Sequence, residues 1–117
     1  MINGAHLILY SRDADADRAF ISDVLGWPHV DAGGGWLIFR LPPAEAAVHP
    51  AETGSHELYL MCDDLDGTMA ELAAKGVAFA SGVSEQGWGR LTSVRLPGGG
   101  SLGLYEPRHE TAYDLPG

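Results

Sequence analysis

The sequence holds one cysteine, few basic residues and no apolar run long enough to span a bilayer. The lone Cys62 excludes an internal disulfide and fits a reducing compartment, and its neighbours Leu60 and Met61 point to core packing rather than a catalytic thiol. Seven basic against sixteen acidic residues give a formal charge of -9, so the field repels polyanions. Nucleic acid and anionic membrane surfaces are therefore excluded as partners, and a neutral or cationic small molecule suits the chain better. The opening MINGAHLILY has no basic stretch before its short apolar run, and the expectation is an unexported, cytoplasmic protein. The serine-containing SGVSEQGWG lacks a nucleophile elbow. Gly98 to Gly100 precede a strand-like segment rather than a helix, so they read as a hairpin turn and not as a phosphate loop.

What is present is ordinary globular material: 117 residues, 45% hydrophobic and 20% charged, enough for one core. HLILYS, from His6 to Ser11, has strand character, and the acidic SRDADAD after it starts a helix with Asp13, Asp15 and Asp17 at its positive end. Phe20, Ile21, Val24 and Leu25 recur at helical spacing until Gly26, which predicts a helix over Ala14 to Leu25. GWPHVDAGG, WLIFRL and AEAAVH then read as three strands, the last two joined by a turn at Pro42 and Pro43.

After the connector Pro50 to Ser55 the order repeats. ELYLMC reads as a strand, Asp64 as the N-cap of a helix carrying Leu65, Met69 and Leu72, and Gly76 as its stop. VAFAS, LTSVRLP and SLGLYEP give three further strands, and the Arg-Leu-Pro at 40 to 42 recurs at 95 to 97. A Gly-Trp pair precedes the third strand of each copy, at Gly35-Trp36 and Gly87-Trp88. Two copies argue for an internal duplication. The expected organisation is one α+β domain over 1–117, built of two tandem βαβββ modules at about 4–50 and 56–107, with a C-terminal tail at 108–117 that is either a loose end or a strap across a neighbouring subunit.

This order of elements, together with ELYLMCDDLDGTMAELAAKGV and RLPGGGSLGLYEP, resembles the vicinal-oxygen-chelate (VOC) superfamily of glyoxalases, bleomycin-resistance proteins and extradiol dioxygenases. The resemblance implies a mixed sheet curled around a cavity between the modules, often completed by a homodimer partner. It also implies, for metal-using members, a divalent ion held by His or Glu from the first and last strands of each half. His6 and Glu57 fall on two of those positions, whereas Gly103 and Ala46 fall on the other two. His49, His56 and Glu106 lie nearby but out of phase with the ligand positions, and two ligands fall short of the three or four that such an ion needs. The expectation is thus a chain with no metal cofactor. The alternative is a divalent-metal-dependent lyase, isomerase or dioxygenase in which His49, His56 or Glu106 joins His6 and Glu57.

Strand alternation assigns the cavity lining. With Leu58, Leu60 and Cys62 packed beneath the second helix, Glu57, Tyr59 and Met61 face the other way, and in the first half His6, Ile8 and Tyr10 do so. His6, Tyr10 and Trp36 from the first half, and Glu57, Tyr59, Trp88 and Tyr105 from the second, are the candidate ligand-binding residues. His6 and Glu57 are the candidates for acid and base, or for a hydrogen-bonded core pair. Gly87 to Gly89 read as a mobile loop carrying the Trp88 indole. The functional expectation is a small-molecule-binding protein and a homodimer.

Overall fold

The computed structural model describes residues 6–116, so the predicted start of the first half at Gly4 and the terminal Gly117 lie outside the described residues. The elements run α1 (Ala14–Phe20) with a π-helical continuation (Ile21–Leu25), β1 (His29–Asp31), β2 (Leu37–Phe39), β3 (Tyr59–Met61), α2 (Leu65–Ala74), β4 (Ser84–Gln86), β5 (Gly89–Arg95) and β6 (Ser101–Pro107).

Both helices start as the sequence predicts. The Asp13 carboxylate accepts from the Ala16 N–H and the Asp64 carboxylate from the Gly67 N–H, each at 3.1 Å, which satisfies one orphan donor per helix. Gly26 and Gly76 end the two helices with φ of 72° and 84°, the left-handed conformation that glycine adopts without strain. Past Gly76 the Val77 N–H reaches back to the Leu72 carbonyl at 3.1 Å and turns the chain toward the sheet.

The second half forms a four-stranded sheet of order β3-β6-β5-β4, with β3 parallel to β6 and the other pairs antiparallel. The outer strand is in two pieces: Phe79 bridges Val94, the chain breaks around Gly82, and β4 resumes the pairing. The Gly87-Trp88-Gly89 segment, expected as a mobile loop, is instead a two-residue hairpin turn. Gln86 pairs with Gly89, and Gly89 is buried against Pro107. A Cβ at Gly89 would lie 2.6 Å from the Glu106 carbonyl oxygen, so close backbone packing, not mobility, accounts for this glycine.

In the first half, β1 and β2 form a separate two-stranded hairpin whose turn is tied by the Asp31 carboxylate to the N–H groups of Gly33 and Gly35. The strands expected at His6–Ser11 and Ala44–His49 do not form. The latter follows two prolines that offer no donor and is rich in alanine, a weak strand former; without it the former has no ladder partner in its own module. Ile8, Tyr10 and Val48 are consequently 60%, 92% and 99% exposed. The radius of gyration, 15.2 Å, exceeds the value of about 13 Å for a close-packed chain of this length.

The core lies on the helix-facing side of the four-stranded sheet. Leu65 of α2 and Phe20 and Ile21 of the first helix meet Val94, Leu102 and Leu104 there. Leu58, Leu60 and Cys62 pack against the same cluster, as strand alternation predicted. The first helix is fixed to the second half by a buried polar contact: the Gly98 N–H in the β5–β6 turn donates to the Asp17 carboxylate at 2.7 Å. A Cβ at Gly98 would collide with Ser11 Oγ and come within 2.7 Å of Asp17 Oδ2. Gly98→Ala is therefore expected to lower stability, and Asp17→Ala to cost about 1–3 kcal/mol by leaving a buried N–H unpaired, both read from urea unfolding midpoints. Unchanged midpoints would show that the contact contributes nothing.

Candidate functional site

The face of the four-stranded sheet turned away from the core carries the aromatic residues. Register places Tyr59 beside Gly103 and Tyr105 opposite Leu91, all on this open side. Gly103 is the enabling position. A Cβ there would collide with the Tyr59 ring, so only a glycine lets that ring lie across the strand. Tyr59 and Tyr105 meet edge to face with centroids 5.8 Å apart, and Tyr105 meets Trp88 the same way at 5.6 Å. Trp88 occupies this place because the tight turn between β4 and β5 presents it at the end of the sheet, where it stays 47% exposed.

Acidic groups surround the rings. The Tyr59 hydroxyl donates to Glu57 at 2.9 Å, and this bond, reinforced by burial and the carboxylate charge, raises the Tyr59 pKa above its ordinary 10.0. Burial, with the charge of Glu45 second, raises Tyr105 as well. The Tyr105 hydroxyl lies 2.6 Å from His109 Nε2. Both phenols are thus held protonated, the Tyr59 hydroxyl donating to Glu57, while the direction of the Tyr105–His109 bond follows the protonation of the histidine ring. On the opposite side of the sheet, burial pushes the Cys62 thiol up, against a hydrogen bond with Thr68, in keeping with the packing role read from its neighbours.

Of the residues singled out from sequence, the structure brings Glu57, Tyr59, Trp88 and Tyr105 together. It places three elsewhere. His6 is exposed on the leading segment. Tyr10 borders a shallow depression of about 400 Å³ with Ser11, Arg12 and the Gly98–Gly100 turn. That turn is at the far end of β6, five residues or about 16 Å of strand from Tyr105. Trp36 stacks under the Arg18 guanidinium at 4.9 Å. A second depression, of about 640 Å³, is lined by Trp27, Pro28 and residues 40–43, away from these rings. Neither depression is lined by Glu57, Tyr59, Trp88 or Tyr105.

The sequence reading missed Glu45 and His109. Glu45 lies in a segment read as a strand and His109 in a tail read as a loose end or a strap across a neighbouring subunit, so neither residue was singled out. The tail is tied to its own chain. The Arg108 N–H donates to the Trp88 carbonyl, its guanidinium pairs with Glu85 at 2.8 Å, and the Ala112 N–H donates to Glu45 at 2.8 Å.

The metal implied by the family resemblance does not fit these residues. At Gly103, where a ligand glutamate would stand, the Tyr59 ring takes the space of any side chain. Glu57 is engaged by Tyr59, and Glu106 is on the core side, where it accepts from the Leu65 N–H at 2.9 Å. His49 and His56 are exposed in the 44–58 connection, His49 Nδ1 lying 2.8 Å from the Pro50 carbonyl oxygen. Among the described residues no three His, Cys, Asp or Glu side chains converge. No helix among them is long and apolar enough to cross a membrane.

Because the raised Tyr59 and Tyr105 pKa values favour the neutral phenols of the folded state, their contribution to stability is complete below pH 10.0 and lost at higher pH. Glu57→Gln should return Tyr59 toward ordinary ionisation. An alkaline absorbance titration in which one tyrosine ionises at lower pH in the variant is the expected result; superimposable curves would contradict the Tyr59–Glu57 bond.

Among known proteins, the sequence profile of the Glyoxalase/Bleomycin resistance protein/Dioxygenase superfamily matches residues 4–107. Solved structures share the fold at low identity. A lactoylglutathione lyase from Agrobacterium tumefaciens is 20% identical, with a TM-score of 0.60 over 84% of this chain and 88% of that one. TnmS3, an antibiotic binding protein from Streptomyces sp. CB03234, is 24% identical, with a TM-score of 0.61 over 92% of this chain and 99% of that one. A glyoxalase/bleomycin resistance protein/dioxygenase from Nocardioides is 16% identical, with a TM-score of 0.63 over 100% of this chain and 93% of that one. No curated relative matches by sequence. With its two helices, mixed sheet and a profile match over nearly its whole length, the chain belongs to the glyoxalase, bleomycin-resistance and dioxygenase superfamily.

Proposed function

We propose that this chain binds a small organic molecule on the open aromatic face of its four-stranded sheet, without a catalytic metal. The observation that carries this reading is the Tyr59 ring laid over Gly103. The same glycine that removes a ligand carboxylate from the family's metal position makes room for an aromatic cluster in which Tyr105 meets Tyr59 and Trp88 edge to face. Rings of this kind stack on aromatic ligands, while Glu57 and Glu45 at their edge supply acceptors that fix orientation. An antibiotic-binding protein of the same fold supports such a role for this architecture. The formal charge of -9 favours ligands that are neutral or positively charged.

A second copy of the chain completes the site in this reading. Ile8, Tyr10 and Val48 are too exposed for a finished apolar surface, and the HLILY segment that carries the first two has the composition of a strand but no partner. Light scattering is expected to give a dimer, and the double variant Ile8→Lys, Val48→Lys a monomer; a wild-type monomer at all concentrations would contradict this part of the proposal.

The reading is tested by elemental analysis of untagged protein purified without chelator, together with melting curves in manganese, nickel, zinc and ferrous ions. Well under one metal per chain and no stabilisation are expected, whereas an aromatic ligand found by screening should raise the melting temperature. Trp88→Ala and Tyr59→Ala should each weaken that ligand roughly threefold to tenfold, the range of one lost aromatic contact. About one tightly bound ion per chain, with a stabilisation abolished by His6→Ala and by Glu57→Gln, would overturn the proposal in favour of a metal-dependent enzyme.

A further inference from the structure

Past Pro107 the chain does not leave the molecule. Arg108 is held at the Trp88 turn by its N–H and by Glu85, and the next residue folds back over the aromatic face. The His109 ring lies 6.0 Å from the Tyr105 ring, centroid to centroid and tilted by 36°. Its Nε2 is 2.6 Å from the Tyr105 hydroxyl and 3.7 Å from Glu45 Oε2. Its Nδ1 is 2.8 Å from the Glu110 carbonyl oxygen, a group that only accepts, so Nδ1 carries a proton. Glu45 is held in turn by the Ala112 N–H, and its side chain is only 18% exposed.

The arrangement has the form of a bound ligand. A planar nitrogen ring lies beside an aromatic ring, hydrogen-bonded to a phenol, with a largely covered carboxylate at the distance of an ion pair. Glu45 has no lysine or arginine within ion-pair distance among the described residues, and its one basic neighbour is this histidine. A carboxylate placed at the edge of electron-rich rings is the recognition pattern for a protonated nitrogen, which gains from the ring faces and from the charge together.

We propose that Glu45, Tyr105 and the adjoining aromatic face form a site for the protonated nitrogen of an arylalkylamine or basic nitrogen-heterocycle ligand, and that His109 of the chain's own C-terminal strap occupies this site until such a ligand displaces it. This rests on the aromatic face being the ligand site and adds the chemical class of the ligand and the means by which the free protein covers it.

Two variants open the site without touching the core. His109→Ala removes the occupant, and Ala112→Pro removes the N–H that ties the strap to Glu45. The probes are benzylamine and its uncharged counterpart benzyl alcohol, titrated calorimetrically, with two-dimensional NMR locating the contacts. Both variants should bind benzylamine about tenfold more tightly than wild type, the scale of one displaced charged or cation–π contact, with benzyl alcohol changed less than about twofold. Adding Glu45→Gln to either variant should abolish the gain. Equal benzylamine affinity in wild type and both variants, with shifts still centred on Tyr59, Trp88 and Tyr105, overturns the self-occupied site and leaves the small-molecule reading intact. Absence of shifts on that face from both probes in every variant overturns the two together.

Discussion

The Asp17 carboxylate, buried between the first helix and the β5–β6 turn, joins the two halves of the chain. Its bond to the Gly98 N–H spans 81 positions of sequence and exists only because position 98 has no side chain to fill the space. With the helix fixed there, Phe20 and Ile21 are carried onto Val94, Leu102 and Leu104, and the core of the second sheet includes residues of the first module. A buried carboxylate costs solvation, and a strong backbone donor at 2.7 Å is the kind of partner that offsets it. Because this core occupies one side of the sheet, the other side is left open for the aromatic residues.

On that open side a second glycine decides the chemistry. Gly103 gives Tyr59 its place, Tyr59 and Trp88 both pack on Tyr105, and Glu57 is drawn into a hydrogen bond with the Tyr59 hydroxyl instead of facing a vacant strand position. One residue thereby puts an aromatic ring where any side chain at position 103 would stand. Fold and site are separable here: the sequence profile assigns the chain to the superfamily, while the character of this face follows from what stands at 57, 59 and 103.

Much of the second half was legible in the sequence because local signals and tertiary packing agree there. Asp64 and Gly76 bound their helix as capping chemistry requires, and the alternation of Leu58, Leu60 and Cys62 against Glu57, Tyr59 and Met61 separates core from open face. The first half was less legible. HLILY has the composition of a strand, but strand formation is a property of pairs, and the alanine-rich segment after Pro43 offers it no ladder. Grouping His6, Tyr10 and Trp36 with the second-half residues assumed that all four strands of each module form; two do not, and the structure carries those three side chains elsewhere. Gly87 and Gly89 were read as freedom of the backbone, whereas Gly89 is there for close approach to Glu106. Glu45 and His109 lay beyond any reading of spacing, since they stand 64 positions apart and meet through a tail that folds back.

The central claim, that ligands meet this protein at the aromatic face of the second sheet, is tested most directly by following the three tryptophan indole N–H resonances during titration with a ligand that raises the melting temperature. Trp88 stands on the face, Trp27 lines the depression beside Pro28, and Trp36 stacks with Arg18, so each reports a different region. The account predicts a saturable shift of the Trp88 signal with the other two stationary. Movement of Trp27 or Trp36 with Trp88 unchanged would place the ligand elsewhere and contradict it.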